Sequence, residues 1–239
     1  MSFYQEMREI VLHHGAINNA YLDRFRAGHL TDEEFRRFAV EFYNFARFFP
    51  KILMAQLINT EDEGVADELT KVLYSELGDG RPKNRHELLY RDFLRSVGVD
   101  VHESMSRPML PSTRAYMDGM ERLYSDGNHD VALGASFGLE HMAITMWDHL
   151  IPGLRLLRTQ RHPAMDLTYF TFHRDLEASH EDAMKQAVTS LATGSDAAEP
   201  PRQTRVDFCR GMEAVLEYLE EFWRGLDRSS DRPTVSSAA

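Results

Sequence analysis

One cysteine, Cys209, in 239 residues excludes an internal disulfide and any multi-cysteine zinc or iron–sulfur site within one chain. Metal chemistry, if present, must rest on histidine and carboxylate. Basic residues are also scarce. The 27 Lys and Arg against 38 Asp and Glu leave a formal charge of -11, and no basic patch is concentrated to hold a phosphate backbone or an anionic leaflet. Nucleic acid and membrane are therefore not expected partners. No run approaches the roughly 18 consecutive apolar residues of a membrane span. Met1-Ser2-Phe3-Tyr4-Gln5-Glu6 lacks the basic and apolar zones of an export signal, so a cytoplasmic location is expected. Alternating β-branched stretches are missing as well, which removes the usual signature of a sheet.

What is present is apolar spacing of three and four residues along nearly every long segment, the pattern of an all-α protein. A first segment, from about Ser2 to Arg26, opens on Ser2 and Gln5 in capping-box spacing and softens near Gly15. Thr31 and Glu34 open a second, whose face is Phe35, Phe38, Phe42, Ala46, Phe49 and Leu53, with Pro50 expected to bend it. A third, about Asp62 to Leu77, stops at Gly78-Asp79-Gly80-Arg81-Pro82, which no helix carries through. A fourth starts near Asn84, and a loop through Pro108 and Pro111 precedes a fifth at Ser112 to Ser125. The most apolar stretch, Val131 to Trp147, contains Gly134 and Gly138, where a neighbouring helix can come close, and a break is expected at Pro152. Two further helices, about Asp166 to Leu191 and Thr204 to Leu226, flank a polar break at Gly194 to Pro201. The breaks are short, so one helical domain over 1–227 is expected, with 228–239 as a disordered polar tail.

Several ionisable residues occupy positions that this periodicity assigns to the core, where an unpaired charge costs several kcal/mol by order of magnitude. His173, Glu177 and His180 are four and three apart, within roughly 60° of arc on one helix. Glu140 lies on the line Leu133, Phe137, Ala143, Trp147, in the least polar helix. Glu76 completes the stripe Val65, Leu69, Val72, and His86 begins the stripe of Tyr90 and Phe93, so both face inward on either side of one tight corner. A single buried His or Glu more often meets an arginine or a carbonyl than a metal. Three histidines and three carboxylates from four helices instead suit two divalent metals, and hard oxygen and imidazole donors favour iron or manganese. H-x-x-x-E-x-x-H is not the H-E-x-x-H of zinc proteases. His13, His14, His129, His141, His149 and His162 fall off the stripes or near breaks and are expected to be solvated or capping, and Cys209 sits beside Met212 and Leu216 as core packing.

Tyr74-Ser75-Glu76-Leu77-Gly78-Asp79-Gly80, Arg85-His86-Glu87-Leu88, Gly138-Leu139-Glu140 and His173-Arg174-Asp175-Leu176-Glu177-Ala178-Ser179-His180 together resemble the haem-oxygenase-like di-iron oxidases and oxygenases, over about Phe35 to Met184. The resemblance implies a seven- or eight-helix bundle of the haem-oxygenase-like kind. It also implies that Glu76, His86, Glu140, His173, Glu177 and His180 bind two ferrous ions that activate O2, with an external reductant in some members. Ser75 stands where many members carry a second acidic residue. Members of this kind oxidise amine nitrogen, or cleave or desaturate amino acids and fatty acids, so a small-molecule substrate is implied, with N-oxygenation of an amine as the leading expectation. Arg47, among Phe45, Phe48 and Phe49, and Tyr43 are candidates for holding the substrate, the guanidinium through a bidentate pair with a carboxylate. The alternatives are a metal-free thiaminase-like hydrolase, for whose cysteine nucleophile Cys209 lies too late in the chain and on a packed face, a haem protein ligated by His13 or His14, and a non-catalytic helical module. A homodimer is the expected assembly.

Overall fold

The computed structural model describes residues 2–193 and 200–229, except for the side chains of 103, 177–180, 183 and 189–193. Among the described residues there are ten α-helices, one 3-10 turn and no strand. They are α1 (Phe3–His13), α2 (Ala20–Arg26), α3 (Asp32–Ile58), α4 (Glu63–Glu76), the 3-10 turn Pro82–Asn84, α5 (His86–Ser96), α6 (Val101–Ser106), α7 (Pro111–Tyr124), α8 (His129–Gln160), α9 (Thr168–Thr193) and α10 (Arg202–Ser229).

The helix starts follow from local chemistry. Ser2 with Gln5 and Thr31 with Glu34 both form reciprocal capping boxes, each satisfying two backbone donors that a helix start leaves open. The expected first segment divides in two, because the backbone leaves helix after His13 and Asn19 caps a new start at Leu22 N. This division and the six-residue α6, too short to show a period, raise the helix number above the seven or eight expected. α8 does not end at Pro152 but runs through it, as α3 runs through Pro50. In each case only one intrahelical bond is lost, and a well-packed long helix tolerates that. α10 reaches Ser229, two residues past the expected end of the domain. The residues 230–239 of the expected tail, and 194–199 of the polar break, lie outside the described residues.

α8 runs through the middle of the bundle, packed by α10, α9, α2, α7 and α1. Its contact with α10 is close because glycines face backbone. A β-carbon on Gly134 would stand 2.0 Å from the Phe208 carbonyl oxygen, and one on Gly211 would stand 1.9 Å from that of Val131. On the opposite side α3, α4, α8 and α9 enclose the inward-facing charges. The aromatic core runs from Trp223 and Phe38 through Phe42 to Tyr90 and Phe170, and it ends where those charges begin. No helix among the described residues is long and apolar enough to cross a membrane.

Candidate metal centre

α4 must end abruptly for Glu76 and His86 to meet. Its C-terminus closes with Asp79 N–H donating to the Tyr74 carbonyl at 3.0 Å and Gly78 N–H to that of Ser75 at 2.8 Å, the paired closure that places a left-handed residue after the helix. Gly78 has φ 94°, and a β-carbon there would stand 2.5 Å from the Arg81 carbonyl oxygen and 2.8 Å from the Arg85 nitrogen. The chain then folds back through the 3-10 turn and enters α5 at His86, its first residue.

Ligand atoms of Glu76, His86 and His173 lie within 4.8 Å of one another, and all three residues are buried. His86 Nδ1 is 2.9 Å from Glu76 Oε2, and His173 Nε2 is 3.7 Å from Glu76 Oε1. The His86 approach is close enough for an ion pair but misaligned for a hydrogen bond. Both ring nitrogens of this 1% exposed residue therefore have no hydrogen-bond partner among the described residues. His173 Nδ1 lies 2.8 Å from the Tyr169 carbonyl oxygen, so that nitrogen carries the proton and Nε2 turns a lone pair toward Glu76.

Electrostatics favour the same reading. Burial would raise the Glu76 pKa, but the His86 imidazole beside it holds the carboxyl well below the usual carboxylate range. Burial, reinforced by the His86 ring, lowers the His173 pKa and keeps it neutral. An ionised carboxylate, a neutral imidazole and a second imidazole with unsatisfied nitrogens are the donor set that ferrous iron accepts. The residues present therefore fit the metal, on the strength of the two orphaned nitrogens and the absence of thiolate.

Glu140 lines the same cavity, a space of about 40 Å³ bounded also by Glu76, His173, Phe45, Phe49, Trp147 and Tyr169. It is outside the three-residue cluster, and its position on the cavity wall suits a further ligand or a proton acceptor. The side chains of Glu177 and His180 lie outside the described residues. Ser75 Oγ is buried without a hydrogen-bond partner among the described residues.

Arg47 and Tyr43 are not on this cavity. The Tyr43 hydroxyl donates to Glu87 Oε1 at 2.7 Å and accepts from Arg91 Nε at 3.0 Å. Burial and Glu87 push its pKa up to about 12. Arg47 donates to Asn44 Oδ1 at 3.0 Å and lies 4.7 Å from the centre of the Phe48 ring. The Tyr43–Glu87–Arg91 group instead fastens the first turn of α5 to α3, which fixes His86 from behind.

Tyr169 is on the cavity wall, whereas Tyr74 is solvent-exposed. Phe45, Phe49, Leu139, Met142 and Trp147 were not singled out as cavity walls. The signal was there: Ala143 and Trp147 share the face of Glu140 at i+3 and i+7. His141, expected to be solvated or capping, is 4% exposed, between the Phe137 carbonyl and the Tyr4 hydroxyl. Cys209, half-buried with Sγ 3.4 Å from Met7 Sδ, is on α10 and absent from the cavity wall, and burial pushes its thiol pKa up.

A helical bundle that buries two histidines and a glutamate together, with the glutamate and one histidine on the wall of a small cavity, defines a class, the haem-oxygenase-like proteins with a candidate metal centre. The chain belongs to the iron-containing redox enzyme family, whose sequence model matches residues 36–217. It is 28% identical over 214 residues to the 4-chloro-allylglycine synthase of Streptantibioticus cattleyicolor, covering 89% of this chain and 78% of that protein. It is 23% identical over 230 residues to the 4-aminobenzoate synthase of Chlamydia muridarum, covering 95% and 89%. A CADD-like protein of unknown function from Nostoc punctiforme superposes with a TM-score of 0.77 at 17% identity, covering 96% of this chain and 97% of that one. That likeness extends to the fold alone.

Proposed function

We propose that this iron-containing redox enzyme is a non-haem di-iron oxygenase that uses O2 to oxidise a small amine-bearing metabolite, with oxidation at nitrogen as the first reading. The observation that carries it is the buried Glu76–His86–His173 cluster with its orphaned imidazole nitrogens, open to a cavity that Glu140 also lines. Glu76, His86 and His173 would hold one iron. Glu140, with Glu177 and His180, would complete a second. Bound iron would supply binding and reduction of O2, chemistry that no side chain here can perform alone.

The chain's own residues do the rest. The Tyr169 carbonyl fixes the His173 tautomer, and the Tyr43–Glu87–Arg91 group holds the His86 backbone. Phe45, Phe49, Leu139 and Trp147 keep bulk water away from the reacting atoms.

A second reading, removal of hydrogen from carbon with fragmentation of an amino acid, draws on the likeness to 4-chloro-allylglycine synthase. Oxygen uptake by the iron-loaded enzyme against a panel of arylamines and amino acids separates the two. Nitrogen oxidation leaves a product heavier by one or more oxygen atoms, whereas fragmentation leaves an alkene and no added oxygen. Uptake that no amine accelerates would overturn both readings.

A further inference from the structure

The cavity at Glu76 and His173 measures about 40 Å³, room for a few molecules the size of water or O2, whereas pockets for organic ligands run to roughly 300 Å³ and more. If this centre acts on a metabolite, as proposed above, something on its wall must give way. Farther along α3 lies a second space of about 270 Å³, a cleft between α3 and α7 lined by Phe48, Ile52, Ala55, Met109 and Met117, with Lys51, Arg114, Asp118 and Glu121 also on its wall.

The two spaces lie on successive turns of α3. Phe45 lines the cavity and Ile52 the cleft, and residues seven apart on a helix differ by only about 20° in direction. Phe49, on the cavity side, lies between them in sequence, one turn from each. The Phe45 ring also touches Tyr116 of α7 at 5.5 Å, and the next residue, Met117, lines the cleft. Phe45 and Phe49 therefore form the partition.

They are also the least enclosed phenylalanines of the core. Phe45 is 9% and Phe49 7% exposed, while the other buried phenylalanines lie at 4% or below. Phe42, two turns before Phe49, is wedged against Phe38, Tyr90, Trp147 and Trp223. Phe49 has one aromatic neighbour among the described residues, Phe45. Pro50 follows it and withdraws the donor that the Ala46 carbonyl would otherwise receive. The partition thus sits on the turn of α3 least tied by its own ladder.

We propose that Phe49, backed by Phe45, is the specificity-determining side chain of this enzyme, and that substrate reaches the candidate metal centre from the α3–α7 cleft by displacing it. Substrate size is then set by how much space the Phe49 ring vacates. Smaller residues at 49 admit longer or bulkier molecules.

Trp147 lines the cavity at 3% exposure, and Trp223, fully buried, lines neither space, so tryptophan fluorescence reports access directly. The experiment is acrylamide quenching of the full-length protein, iron-free and iron-loaded, with iron uptake measured separately. Phe49→Ala is expected to raise the quenching constant at least threefold, and Phe49→Leu to raise it less. Adding Ala55→Phe, which fills the cleft, should return Phe49→Ala to near the wild-type value. Near-ultraviolet circular dichroism checks folding, and Phe49→Leu serves if Phe49→Ala does not fold. No rise in either variant, or a rise that Ala55→Phe leaves untouched, overturns the proposal. Failure of the wild type to take up iron would instead count against the function proposed above and leave the quenching result standing.

Discussion

At the scale of single residues, the candidate centre depends on one backbone position more than on any side chain around it. Gly78 adopts φ 94° and has backbone within 3 Å of where a β-carbon would lie. Gly78→Ala should therefore cost about 1–3 kcal/mol of stability and weaken iron binding, because Glu76 and His86 are joined through that corner. Thermal unfolding with and without ferrous iron reads both effects. His141 gives a prediction in pH. Burial lowers its pKa to about 4, outweighing Glu181 and the Phe137 carbonyl, which pull it upward. Between that value and its ordinary 6.5 the unfolded chain binds more protons than the folded one, so stability is lost as pH falls through this window. Across it, the advantage of wild type over His141→Gln should shrink by roughly 3 kcal/mol at most, measured by denaturant unfolding at pH 7 and pH 4.5. Glu76, Glu140 and His173 were legible in sequence because each interrupts an apolar stripe. The partners of Arg47 and Tyr43 were not, since helical phase gives the side of a helix and not the neighbour a long side chain meets.

At the scale of elements, capping boxes and stop signals gave the starts of α1 and α3 and the end of α4, as sequence chemistry expects. α8 through Pro152 was not legible in the same way. Whether a proline ends a helix depends on what packs around it, and here Gly153 faces the Phe25 carbonyl on α2 and holds the helix in place beyond the proline. Close approach of a neighbouring helix to α8 was anticipated from Gly134 and Gly138, which both face α10, but not which helix it would be, because the partner Gly211 has meaning only once the two helices are paired. Gly211→Ala would place a methyl 1.9 Å from the Val131 carbonyl oxygen and force the helices apart. The expected cost is about 3 kcal/mol, seen as a fall of roughly 10 °C in Tm by calorimetry. Iron affinity should change little, since α10 contributes nothing to the cavity wall.

At the scale of the whole molecule, the bundle separates two tasks. α10, α7 and the aromatic core supply stability, while α4, α5, α8 and α9 bring charge inward, where only a bound cation or a complete set of hydrogen bonds makes burial tolerable. Family membership states that iron belongs in such a protein, and Glu76, His86 and His173 are where this chain can hold it. The most direct test is anaerobic equilibrium dialysis against ferrous iron, with metal and protein quantified for wild type, Glu76→Gln and His173→Ala. The account predicts tight binding approaching two irons per chain in the wild type, with loss of at least one in either variant while the helical circular dichroism is retained. Wild-type protein that leaves dialysis without iron, or variants that bind as much as wild type, would contradict it.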